Sequence, residues 1–179
     1  MGATITTSQT EQPRIYVACL AAYNNGILHG AWIDAAQEAW ALWDEVAAML
    51  AASPIAGAEE WAIHDHEGFG GVRISEHASL DTVTELASFI AEHGALGAAL
   101  LDHCDGDLEE ARRALEDRHL GTYASLADYV QEVTEETTAI PQALRYYIDY
   151  QAMARDAEIN GDLFTVQMGW DTVHVFAGC

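Results

Sequence analysis

The sequence contains no lysine. All seven of its basic residues are arginine, set against 29 Asp and Glu, for a formal net charge of −22 over 179 residues. That balance excludes phosphate backbones and anionic membranes as direct partners and favours basic surfaces. Cysteine is scarce: Cys19, Cys104 and Cys179 are odd in number and lack CxxC or CxxxC spacing, which argues against a disulfide framework or a zinc knuckle. No apolar run approaches 18 residues, and the opening MGATITTSQTEQP has neither a positive n-region nor an apolar h-region. The chain is therefore expected to be soluble and cytoplasmic. Gly2 and Thr6 fit the loose myristoylation pattern, but no polybasic second signal accompanies them, and the match reads as chance.

What is present is enough for a core. Half of the residues are apolar, with five Trp and seven Tyr, so this is not a disordered acidic tail. After a polar tail, RIYVACL and ILHGAWI read as strands joined through the Asn-Gly of AAYNNG. Asp34 is placed to cap a helix, AAQEAWALWDEVAAMLA, in which Ala36, Trp40, Trp43, Ala47 and Leu50 recur at helical spacing and are expected in the core. EEWAIHDHE reads as a third strand and GFGGVRI as a hinge or turn. A helix capped by Ser79 should stop at Gly94, followed by a short helix, ALGAALLDHC. Asp107 caps LEEARRALEDRHL, which should run to Gly121. Ser125 caps LADYVQEVTEE, Pro141 opens a long helix through residue 159, and GDLFTVQM and TVHVFAG form a closing hairpin. The expected fold class is α+β in three small domains: a tail over 1–13, an α+β domain over 14–70, a helical middle domain over 71–104, and an α+β domain over 105–179.

The acids gather in helical runs. Residues 100–137 hold 11 carboxylates and three arginines. At about 100° per residue, Leu108, Ala111 and Leu115 share one side of their helix while Glu109, Glu110, Glu116 and Asp117 share the other, with Glu109 and Arg113 able to pair at i,i+4. In the next helix Leu126, Tyr129, Val130 and Val133 point inward, and Asp128, Glu132, Glu135 and Glu136 point outward with no interleaved cation. A helical turn rises about 5.4 Å, so such a column spaces its charges at roughly 5–6 Å, near the phosphate repeat of a DNA strand. The stripe can stand in for a phosphate backbone. The competing reading is a solvated face that serves solubility or adaptation to high salt.

Other constellations point to less. Asp105, Asp107, Glu109 and Glu116 match positions 1, 3, 5 and 12 of a calcium loop, but Glu110 stands where glycine is needed for the turn. His64 and His66 could share a strand face, yet no second cluster at ligand spacing accompanies them. Cys104 lies beside His103, but neighbours on a helix diverge by about 100° and the surrounding acids disfavour a thiolate. G-x-S-x-G, Walker A and H-E-x-x-H motifs are missing. No metal, cofactor or catalytic residue is expected.

Taken together, RIYVACLAAYNNGILHGAWID, EWAIHDHE, LLDHCDGDLEEARRALEDRHLGTYASLADYVQEV and YYIDYQAMARDAEINGD resemble the ArdA family of antirestriction proteins. The resemblance implies a non-enzymatic, homodimeric DNA mimic of mobile genetic elements such as conjugative plasmids. Its partner would be a Type I restriction-modification enzyme, whose specificity and modification subunits form the DNA-binding groove that it occupies. It implies an elongated chain of three small domains in line, with phosphate-mimicking acids among Asp102, Asp105, Asp107, Glu109, Glu110, Glu116, Asp117, Asp128, Glu132, Glu135 and Glu136. Dimerisation would involve Tyr123, Leu126, Tyr129, Val130 and Val133. The alternative is an acidic binding module for other basic DNA-binding proteins.

Overall fold

A computed structural model describes residues 12–178. The expected tail therefore lies almost wholly outside the described residues, as does Cys179. Among the described residues the fold is mixed α+β, with six α-helices and two three-stranded antiparallel sheets. The chain divides into two compact units, the first ending at Gly106 and the second beginning at Asp107.

In the first unit, β1 (Arg14–Cys19) is the central strand between β2 (Gly30–Asp34) and β3 (Trp61–Glu67). Ile15, Val17 and Cys19 alternate inward, as a half-buried strand requires. The expected hairpin turn is instead a short helix, α1 (Leu20–Asn24), closed where Asn25 and Gly26 donate back to Ala22 and Tyr23. β3 carries a bulge: Tyr16 faces Asp65 and Val17 faces Ile63, so His64 is the extra residue. The bulge breaks the alternation on which a shared His64/His66 face depended.

α2 (Ala39–Ala51) starts later than expected because the Asp34 carboxylate accepts from Ala36 N at 2.9 Å in a local turn, leaving Glu38 at the N-cap position. It is also rotated from the expected orientation. Leu42, Val46 and Met49 are buried, while Trp40 and Trp43 are 68% and 47% exposed, so the tryptophan stripe is not the core face.

α3 (Leu80–His103) is capped by Ser79, whose hydroxyl accepts from Thr82 N at 3.1 Å. It is interrupted at Gly94, with φ 59° and ψ −141°, a conformation that only glycine adopts cheaply. The expected stop is thus a break between two helical segments. Leu80, Val83, Ala87, Ile90, Leu100 and Leu101 fill the core.

In the second unit, α4 (Leu108–Asp117) ends before Arg118, and His119–Tyr123 forms β4 where a continuing helix was expected. α5 (Leu126–Thr137) is capped by Ser125. The long helix expected from Pro141 is replaced by turns, a 3-10 turn (Arg145–Tyr147), and α6 (Tyr150–Asn160), which is capped by Asp149 accepting from Ala152 N at 2.9 Å. β5 (Leu163–Gly169) and β6 (Thr172–Ala177) make the closing hairpin, with β6 central in the order β4-β6-β5. Leu126, Ala127 and Val130 of α5 meet Ala154 of α6 and Val173 and Val175 of β6 in one core. Among the described residues, no helix is long and apolar enough to cross a membrane.

Candidate functional site

The acids of residues 100–137 occupy three kinds of place. Asp102, Asp105 and Asp107 surround the turn from α3 into α4. Asp105 takes a left-handed φ of 52°, tolerated by aspartate, and Gly106 donates to the Leu101 carbonyl at 2.8 Å. Asp107 is the N-cap of α4, its carboxylate accepting from Glu110 N at 3.0 Å. Asp102 packs against Gly71, where a Cβ would lie 2.0 Å from its Oδ1, so this close approach requires glycine. With Arg73, Asp102 and Asp105 border a cleft of about 470 Å³ within the first unit.

On α4, Ala111 and Ala114 are buried, while Glu109, Glu116 and Asp117 are exposed. Arginines temper this stripe. Arg113 pairs with Glu110 at 3.2 Å, rather than with Glu109, which Arg112 approaches at 3.8 Å. Arg118 also donates to Glu110, and these two side chains are only 17% and 26% exposed. Glu110 is therefore a structural anchor as much as a surface charge.

On α5, Asp128, Glu132, Glu135 and Glu136 are all exposed, diametrically opposite Leu126 and Val130. They lie within about 100° of arc, successive members rising by roughly 6 Å or less. The sequence places no Lys or Arg within this helix. Tyrosines hold two of them: the Tyr123 hydroxyl donates to Glu132 at 3.0 Å and Tyr150 to Glu135 at 3.4 Å. The hydrogen bond to Glu132 raises the Tyr123 phenol, and desolvation followed by Glu135 raises that of Tyr150, so both remain donors near neutrality. Asp128 accepts from the Ser125 hydroxyl at 2.6 Å.

Helix polarity sorts these acids. Glu109 and Asp128 lie in first turns, where the macrodipole favours negative charge, whereas Glu116, Asp117, Glu135 and Glu136 lie in last turns, where it costs about 0.3–1 kcal/mol each. Glu135 is offset there by an i,i+4 hydrogen bond from Gln131 at 3.0 Å; Glu116, Asp117 and Glu136 oppose the dipole.

One column escaped the sequence reading. On α3, Asp81, Glu85 and Glu92 are exposed and fall within about 40° of arc, opposite a continuous apolar face. Their i, i+4, i+11 spacing is the available signal, faint because three acids spread over twelve residues stand out less than the dense run beyond residue 100. The first unit's residues 1–106 hold 15 acids and two arginines, and residues 107–179 hold 14 acids and five. The anionic character thus extends well before the acid-rich segment.

Of the residues assigned to dimerisation, Leu126 and Val130 lie in the second unit's own core, Tyr123 and Tyr129 pack against it and meet one another edge to face with ring centroids 5.2 Å apart, and Val133 is half-buried. Among the described residues, no three His, Cys, Asp or Glu side chains converge to hold a metal ion. His66 is occupied structurally, its Nε2 accepting from Ile74 N at 3.0 Å.

No curated protein matches the chain. A family model does: that of the antirestriction protein ArdA matches residues 15–172, nearly the whole chain, and the protein belongs to this family.

Proposed function

We propose that this chain acts as a homodimeric DNA mimic that occupies the DNA-binding groove of a Type I restriction-modification enzyme and so protects incoming mobile DNA. The observation that carries this reading is the α5 column. Four exposed carboxylates stand in a row without an intervening cation, two of them in the last turn, where the helix dipole disfavours negative charge. Groove arginines and lysines built to meet phosphates at a comparable spacing would accept them. The α3 column and the last-turn acids of α4 extend the same pattern. Inhibition is by occupancy, the chain turning over no substrate. Tyr123, Tyr129 and Val133 belong to the proposed homodimer contact, whereas Leu126 and Val130 support it from beneath.

The test is a competition assay with the specificity and modification subunits and unmodified DNA. Excess protein should protect the DNA, and protection should weaken at least tenfold between about 50 and 200 mM salt, because the interaction exchanges bound ions for carboxylate contacts. Protection that is indifferent to salt would exclude electrostatic mimicry. Binding to purified basic nucleoid proteins with equal affinity would favour a general acidic binding module. Equilibrium sedimentation tests the dimer.

A further inference from the structure

α2 carries two apolar stripes, and only one is used by the core. Leu42, Val46 and Met49 are buried; about 120° further round the helix lie Trp40, Trp43, Ala47 and Leu50, of which Trp40, Trp43 and Ala47 are exposed. Trp61, at the start of β3, extends this surface, its ring meeting Trp43 edge to face with centroids 5.7 Å apart. A cluster of large aromatics left in water at helical spacing is costly unless something covers it. Asp44 stands one turn from Trp40 on the same side, and exposed Glu59 and Glu60 immediately precede Trp61.

We infer that this tryptophan and carboxylate face docks arginine side chains of the bound protein, adding a stacking contact to the summed charge. The chemistry already occurs once within the chain: the Arg14 guanidinium lies 4.8 Å from the Trp32 ring centroid while Glu67 accepts from its Nε at 2.8 Å. A guanidinium is flat and weakly hydrated, so it can stack on an indole and still satisfy a carboxylate, which a lysine ammonium does less well. A purely apolar partner would strip water from Asp44, Glu59 and Glu60 without replacing it. A second copy of this chain docked face to face here would set Asp44, Glu59 and Glu60 against their own duplicates. The inference rests on the proposed function for the identity of the arginine-bearing protein, though not for the chemistry of the surface.

The test compares the full-length protein with a Trp40→Ala/Trp43→Ala variant, both checked for an unchanged thermal midpoint, and with Trp43→Phe, which keeps an aromatic face. Each is titrated into the specificity and modification subunits at several salt concentrations. The double variant should bind roughly tenfold more weakly at every salt with an unchanged salt slope, and Trp43→Phe should recover part of the loss. Affinity within twofold of the parent at all salts overturns the inference while leaving the proposed function intact. A labelled oligoarginine and a labelled oligolysine provide a second reading by anisotropy. The parent should prefer oligoarginine, and the double variant should lose that preference. If the parent fails to bind the enzyme at all, the proposed function falls, and the peptide pair alone decides: a preference retained by the double variant overturns the inference.

Discussion

Glu110 and Glu109 are adjacent in the sequence and unequal in consequence. Glu110 receives both Arg113 and Arg118 at a half-buried position, so Glu110→Gln should lower stability by about 1–2 kcal/mol, read as a fall in the thermal midpoint. Glu109→Gln should lower the midpoint less, removing an exposed first-turn charge that contributes about 0.3–1 kcal/mol. His174 gives a second residue-scale test. Its Nδ1 stands 3.0 Å from His119 Nε2, and burial, then His119, pushes its pKa below the ordinary 6.5. The folded ring accepts a proton at lower pH than the unfolded ring, so stability present above that ordinary value is lost as pH falls below it. A His174→Gln variant should therefore show a smaller loss of thermal midpoint between about pH 7 and pH 5 than the parent. An equal loss would place the acid sensitivity elsewhere.

At the scale of elements, helix ends separate charges that help the fold from charges that do not. Replacing Glu116, Asp117 and Glu136 by Gln, Asn and Gln should stabilise the protein by about 0.3–1 kcal/mol per site while weakening inhibition progressively, each single change doing little. A set that destabilised the fold and left inhibition intact would reverse the assignment. Gly94 supplies the opposite case. Its Cβ direction is open, so Gly94→Ala meets no atom within 4 Å, yet the backbone conformation should still cost about 1–3 kcal/mol. The caps at Ser79, Asp107 and Ser125 were legible in the sequence because capping is a local signal of side-chain type followed by an apolar period. β4 was not. Its HLGTY follows α4 without a break in composition, and pairing with the distant β6, not local preference, makes it a strand. α2 was legible as a helix but not in its orientation, because an apolar residue occurs on nearly every side and periodicity alone cannot choose between Leu42 and Trp43.

At the scale of the whole molecule, the net charge of −22 is shared between both units, and so should be the contribution to binding. Neutralising Asp81, Glu85 and Glu92 together should weaken inhibition to a degree comparable with neutralising Asp128, Glu132 and Glu136, measured as the protein concentration giving half protection. A negligible effect of the α3 set would confine the active surface to the second unit. The α5 and α4 columns were legible from spacing alone, since a regular rotation per residue converts sequence intervals directly into a face. The hydroxyls that brace α5 were not, because Tyr123 and Tyr150 reach it from β4 and α6 and only folding brings them there.

Whereas α4 has Arg118 at its C-cap, the last-turn acids of α5 leave that helix with its negative pole unanswered. An enzyme that docks its arginines there would furnish the capping counterions that the chain itself withholds. Inhibitor and target would then complete one another's electrostatics, and the complex should withstand heating better than either component alone.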